Sequence, residues 1–170
     1  YAVTVNGYIY ASRNYGASWT LIYYEDATLE MASIDTSSDG VYVYVATINA
    51  VLLRSTDSGT SFMYSTVENG LTGAEYSSIS CNSTGQLVMT VIENGGGVYK
   101  STDYGSTFSI VSTVSTVGTW TGVSVSASGQ YIAVSSSNAG IFISYNYGST
   151  WTQSEAPTYA FRSVALSGNG

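Results

Sequence analysis

The octapeptide Ser101-Thr102-Asp103-Tyr104-Gly105-Ser106-Thr107-Phe108 has three siblings in the same chain. They are Ser12-Arg13-Asn14-Tyr15-Gly16-Ala17-Ser18-Trp19, Ser55-Thr56-Asp57-Ser58-Gly59-Thr60-Ser61-Phe62 and Ser144-Tyr145-Asn146-Tyr147-Gly148-Ser149-Thr150-Trp151. The shared pattern is S-x-[DN]-x-G-x-[ST]-[WF], and its first serines stand 43, 46 and 43 residues apart. Such self-similarity marks a repeat architecture. The pattern has a physical logic. An Asp or Asn side chain accepts backbone N–H groups of its own turn. The glycine supplies a positive φ, and the closing aromatic packs between neighbouring elements. Asn14 and Asn146 keep the acceptor and lose the charge, which suits a turn and not a carboxylate catalyst.

A second marker runs at the same period. Apolar-alternating runs end in glycine at Ile34–Gly40, Ile79–Gly85, Val123–Gly129 and Val164–Gly170, with the glycines 45, 44 and 41 apart. Each unit then reads as four short strands. The first is Ile34-Asp35-Thr36 or its equivalents. The second is Val41 to Val45 or Tyr131 to Val134. A Gly/Asn loop such as Asn94-Gly95-Gly96-Gly97 leads to the third, Val98-Tyr99-Lys100 or Ile141-Phe142-Ile143. The last starts near Trp151 and its counterparts. The stretch from Leu21 to Met31 reads as strand followed by loop, not helix.

Composition narrows the chemistry. The 170 residues amount to one domain, and 44% are hydrophobic, so a packed core is within reach. Only 9% are charged; eleven acids against four bases give a net charge of −7. That balance opposes nucleic-acid binding and an anionic membrane surface. There is no His and a single Cys, which removes the usual general base near neutral pH and any internal disulfide. No apolar run is long enough to span a bilayer as a helix. No cofactor is implied, and no Asp-rich loop points to Ca²⁺. Cys81 aligns with Val125 and Leu166 and reads as a buried small apolar residue. Asn82-Ser83-Thr84 is a sequon, so Asn82 is an N-glycosylation candidate in a secreted chain. Abundant Ser, Thr, Gly and Tyr with a single Lys suggest an extracellular or cell-surface protein.

The four motifs resemble the Asp-box, or bacterial neuraminidase repeat, of the sialidase and sortilin-like superfamily, and the resemblance covers the whole chain. It implies an all-β fold: a β-propeller of four-stranded antiparallel blades. Members include sialidases, sortilin-type receptors, glucan hydrolases, a photosystem assembly factor and lectin-like proteins. The structural Asp-box residues would be Ser12, Asn14, Gly16, Trp19, Ser55, Asp57, Gly59, Phe62, Ser101, Asp103, Gly105, Phe108, Ser144, Asn146, Gly148 and Trp151. The expected units are 1–23 completed by 161–170, then 31–65, 76–111 and 120–154, forming a single propeller over 1–170. Joining Gly170 to Tyr1 restores the unit pattern with about one residue missing. Strand exchange between the termini and a window cut from a longer array both fit.

Ligands of such folds meet the loops opposite the Asp-box turns. Those loops carry Glu25, Asp26, Glu30, Glu68, Glu75, Glu93 and Glu155, and one basic residue, Arg162. The resemblance to sialidases would require three converging arginines, and the chain has only three, with Arg13 and Arg54 on the opposite edge. A neutral-glycan hydrolase needs two paired carboxylates, and nothing in the sequence pairs any of these. Met31, Tyr76, Trp120 and Phe161 recur at one position, where they either plug the blade interfaces or offer sugar-binding faces. Tyr76, Trp120, Tyr159, Glu75 and Glu93 are the ligand-binding candidates, with no catalytic residue and no metal ligand. Sixteen Tyr, few charges and repeated units favour a non-enzymatic structural or adhesive module, assembling with like subunits or neighbouring repeats into a fibre or coat. A glycan-binding lectin-like propeller is the second reading, and a glycoside hydrolase the third.

Overall fold

The computed structural model describes residues 1–24, 28–49, 51–68, 70, 73–114 and 118–170. Among them are strands and turns and no helix. The first sheet holds β1 (Ala2–Val3), β2 (Tyr8–Ala11) and β3 (Thr20–Tyr24). The second holds β4 (Met31–Thr36), β5 (Val43–Thr47), β6 (Leu52–Ser55) and β7 (Met63–Tyr64). The third holds β9 (Tyr76–Cys81), β10 (Val88–Ile92), β11 (Gly97–Ser101) and β12 (Thr107–Ile110), and β8 (Thr66–Val67) adds to it. The fourth holds β13 (Trp120–Val125), β14 (Ile132–Ser136), β15 (Gly140–Ser144) and β16 (Thr152–Gln153). Apart from β8, neighbours in each sheet pair antiparallel in chain order, as successive hairpins do.

The second, third and fourth sheets follow the strand pattern expected of the repeats, but among the described residues the first holds only three strands and residues 161–170 do not complete it. Two further departures are local. Strand β5 begins at Val43, not Val41, because Val41 and Tyr42 still belong to the turn: Val41 N–H donates to Asp39 Oδ1 and the Tyr42 carbonyl accepts from Ser37 N–H. Strand β8 arises from the connection leaving the second blade and pairs parallel to β12 of the third, Thr107 opposite Thr66.

Each Asp-box closes the hairpin between the last two strands of its blade. Asp57 shows the wiring. Its Oδ1 accepts from Ser55 Oγ and from Ser61 N–H, and its Oδ2 accepts from Ser61 Oγ at 2.6 Å. Ser55 Oγ in turn accepts the Gly59 N–H at 2.9 Å. These bonds to the ionised form, led by the Ser61 hydroxyl, hold the Asp57 carboxyl down to about 2. Asp103 repeats the pattern; burial opposes its charge, but Thr107 and Ser101 outweigh that and lower it. Where the residue is Asn, the hydroxyl four residues on reverses its role. Asn14 Nδ2 donates to Ser18 Oγ and Asn146 Nδ2 to Thr150 Oγ1, while each Oδ1 still accepts the backbone N–H. A Ser or Thr hydroxyl both donates and accepts, which is why the motif tolerates either partner. At Gly105 (φ +70°) a Cβ would lie 2.7 Å from the Tyr44 ring, so the motif glycine also makes room for the preceding blade.

Three apolar clusters lie between consecutive sheets. Ile9, Met31, Val45 and Leu53 join the first sheet to the second. Tyr44, Leu52, Tyr76, Ile79 and Phe108 join the second to the third. Met89, Val98, Trp120, Ile132 and Val134 join the third to the fourth. The innermost strands are also tied edge to edge by side chains. Asp35 Oδ2 accepts Cys81 N–H (2.8 Å), Ser80 Oγ accepts Val125 N–H (3.2 Å) and Ser124 Oγ accepts Leu166 N–H (3.0 Å). The terminal residues 161–170 continue this series along β13 and belong to none of the four sheets, while β1 pairs with β2. Cys81 is buried, and burial first, then Asp35, pushes its thiol up.

Candidate functional site

Strands β4, β9 and β13 carry the same irregularity, skipping the second residue of each. Register passes from Met31 to Ser33 across β5, from Tyr76 to Ser78 across β10, and from Trp120 to Gly122 across β14. The skipped residues are Ala32, Ser77 and Thr121. A β-bulge re-aims the side chain it inserts. All three line one cavity of about 390 Å³, together with Arg162, which holds the same place in the terminal segment after Phe161.

The residue before each bulge goes the other way. Met31, Tyr76 and Trp120 are buried in the three inter-sheet clusters. Trp120 meets the Phe142 ring edge-on at 5.6 Å. Tyr76 lies in the core beside Tyr99, and burial pushes its phenol up to about 12, so it stays protonated at neutral pH. The rings of Tyr76 and Trp120 are thus blade plugs, although Met31 and Tyr76 also border the cavity, while Phe161 is half-buried and lies in none of the three clusters. Tyr159 is 69% exposed and does not line the cavity.

Of the candidate residues, Glu75, Tyr76 and Glu93 line this cavity, and the two carboxylates stand together on it. They share one wall, because Glu93 N–H donates to the Glu75 carbonyl at 2.9 Å. Val5 and Ile48, both exposed, add apolar surface to the rim. Glu30, Glu68 and Glu155 are exposed elsewhere; Glu25 and Asp26 lie outside the described residues. The Asn82 side chain is turned into its own hairpin, where Oδ1 accepts Leu87 N–H (3.1 Å) and the Thr84 hydroxyl (3.2 Å). Among the described residues no group of three or more His, Cys, Asp or Glu converges as a metal centre.

Sequence reasoning missed Ala32, Ser77, Thr121, Val5, Ile48 and the role of Asn94. The signal was available for the first three: they follow the recurring large residue at a fixed place in each unit, as does Arg162. The Asn loops carry a subtler one. Asn49 Oδ1 caps Glu30 N–H (3.0 Å) and Asn138 Oδ1 caps Thr119 N–H (2.9 Å). In the third blade the equivalent Asn94 donates its amide to the Glu75 carboxylate instead.

Three solved structures that resemble this chain are larger than it. The crystal structure of the family-74 glycoside hydrolase xyloglucanase from Xanthomonas campestris superposes with a TM-score of 0.69 and 16% identity, over 90% of this chain and 28% of that one. YCF48 bound to D1 peptide gives 0.67 and 18%, over 92% and 51%. YCF48 from Cyanidioschyzon merolae gives 0.60 and 18%, over 72% and 38%. The chain thus spans about half or less of the length of each, and the likeness establishes the β-propeller fold alone. Among curated proteins none matches the sequence. The family model of the photosynthesis system II assembly factor YCF48 matches residues 1–163, nearly the whole chain. The chain belongs to the YCF48 family of photosystem II assembly factors.

Proposed function

We propose that this chain is a non-enzymatic protein-binding module and that the cavity at the bulged starts of its inner strands receives a segment of a partner polypeptide. The observation that carries this reading is the row of three bulges. One residue from each of three blades is turned out of the sheet onto a single concavity, with Arg162 beside them. Membership of the YCF48 family, and the D1 peptide held by a relative of the same fold, support a polypeptide as the occupant.

The structural or adhesive role expected from composition draws no support from that family. The glycan reading depends on aromatic faces, and the rings of Tyr76 and Trp120 are buried. Hydrolysis requires two carboxyl groups flanking the scissile bond, whereas Glu75 and Glu93 rise from one wall and Glu75 is engaged by Asn94.

The test is selection of a random heptapeptide phage library on the folded chain, with counter-selection on Ala32→Trp. Ala32 is exposed and lines the cavity, so the indole fills the site without touching the core. Recovery of peptides that bind the parent chain and lose binding to Ala32→Trp is the expected result. Peptides that bind both chains equally would place recognition elsewhere and overturn the reading.

A further inference from the structure

The polarity of the cavity narrows what the segment must carry. Its third-blade wall holds both carboxylates, and Arg162 stands on the terminal segment. The net charge of −7 reinforces attraction for a cation over the whole surface. Exposed Val5 (61%) and Ile48 (38%) supply the apolar part of the rim. The Asn94 substitution of roles adds a blade-specific observation. In the second and fourth blades this Asn caps a backbone N–H. Only where the neighbouring residue is a cavity-lining carboxylate does it turn to hold the side chain, through Glu75 Oε2. One carboxylate oxygen is thereby fixed, and the other is left for a ligand. Preorganising an acceptor in this way lowers the cost of binding a donor.

We infer that the cavity selects a partner segment carrying one Lys or Arg next to an apolar residue, the cation lodging between Glu75 and Glu93 and the apolar side chain against Val5 and Ile48. A charge-assisted hydrogen bond to a fixed carboxylate is roughly twice as strong as a neutral one. Arg162 opposes a second cation close by, so a single basic residue is preferred to a polybasic run. This rests on the protein-binding reading above and adds the chemistry of the bound segment.

The experiment uses the peptides recovered by the phage selection. The expected consensus fixes one Lys or Arg beside Leu, Ile, Val or Met. The best peptide is synthesised, acetylated and amidated, with that residue as Lys or as norleucine, and each is titrated by fluorescence anisotropy. Norleucine is expected to bind about tenfold more weakly to the parent chain. On Glu75→Gln, which keeps the side-chain shape and an acceptor for Asn94, the two peptides should bind within about twofold of each other. The Lys preference should also shrink as NaCl is raised. A consensus without a basic residue overturns the inference. So does a Lys preference that is absent on the parent chain or persists on Glu75→Gln. In both cases continued loss of binding on Ala32→Trp leaves the protein-binding reading standing. Failure to recover any Ala32→Trp-sensitive peptide removes both.

Discussion

The two rims of this molecule obey opposite rules. On the Asp-box rim, four turns repeat one hydrogen-bond circuit, and even an Asp-to-Asn change is absorbed by a hydroxyl that swaps donor for acceptor. On the opposite rim the backbone repeats and the side chains do not. The same bulge presents Ala32, Ser77 and Thr121, and the matching terminal position holds Arg162. Uniform side chains mark a rim that does one job four times. On the opposite rim a uniform backbone lets neighbouring blades contribute different side chains to one cavity.

The largest effect should come from the plugs that divide the rims. Trp120 is fully buried between the third and fourth sheets, and Trp120→Ala is expected to cost about 3–5 kcal/mol in urea unfolding. A loss below about 1 kcal/mol would mean that the ring does not hold the blades together. Next is Gly105→Ala, where a positive φ and a Cβ 2.7 Å from the Tyr44 ring combine; a loss of about 1–3 kcal/mol is expected. Gly16→Ala provides the control, since φ is +86° but nothing lies within 4 Å, and it should cost less than Gly105→Ala.

Acid sharpens the comparison within the Asp-box rim. Asp57 and Asp103 have folded-state values below their ordinary one. The contribution of Asp57 is therefore complete above its ordinary value near 4 and is lost as pH falls toward 2, and that of Asp103 is likewise lost as pH falls below the ordinary carboxylate range. Asn14 and Asn146 have no such dependence. The double variant Asp57→Asn, Asp103→Asn should unfold in urea much like the parent at pH 7 and lose less stability between pH 4 and 2. An unchanged acid profile would remove these two turns as the acid-sensitive points. The smallest effect concerns the tyrosines in left-handed conformation. Tyr104 (φ 59°) stacks on Tyr42 of the preceding blade at 4.7 Å, whereas Tyr15 (φ 57°) is fully exposed. Replacement by Gly relieves backbone strain at both positions, but only Tyr104→Gly also loses the stack, worth about 0.5–1.5 kcal/mol. Tyr15→Gly should therefore be the more stable of the two variants by about that amount.

Much of the fold was legible because its decisive interactions are local. The Ser, Asp or Asn, and Gly of each turn bond within five residues of one another, so their spacing alone declares the hairpin. Strand β8 was not legible: Thr66 and Val67 pair with residues about 40 positions away, and no short-range pattern encodes a parallel addition. At the site, Glu75, Glu93 and Arg162 could be placed from the loops that bear them. Tyr76 and Trp120 could not be assigned between plug and ligand face, because alternation does not reveal which way a side chain points at a bulge. The diversion of Asn94 was hidden for a similar reason: an Asn in a Gly-rich loop satisfies a turn equally well by its oxygen or its amide.

The joints between inner strands have a direction. The second, third and fourth blades offer acceptors, Asp35, Ser80 and Ser124, to backbone N–H groups of the segment that follows, the next blade or the terminal residues. A unit copied within the gene inherits both the socket and the plug of this joint and fits between its parents without further change. Copy number in such a lineage can therefore grow or shrink by whole units, while the residue at each bulge is free to diversify.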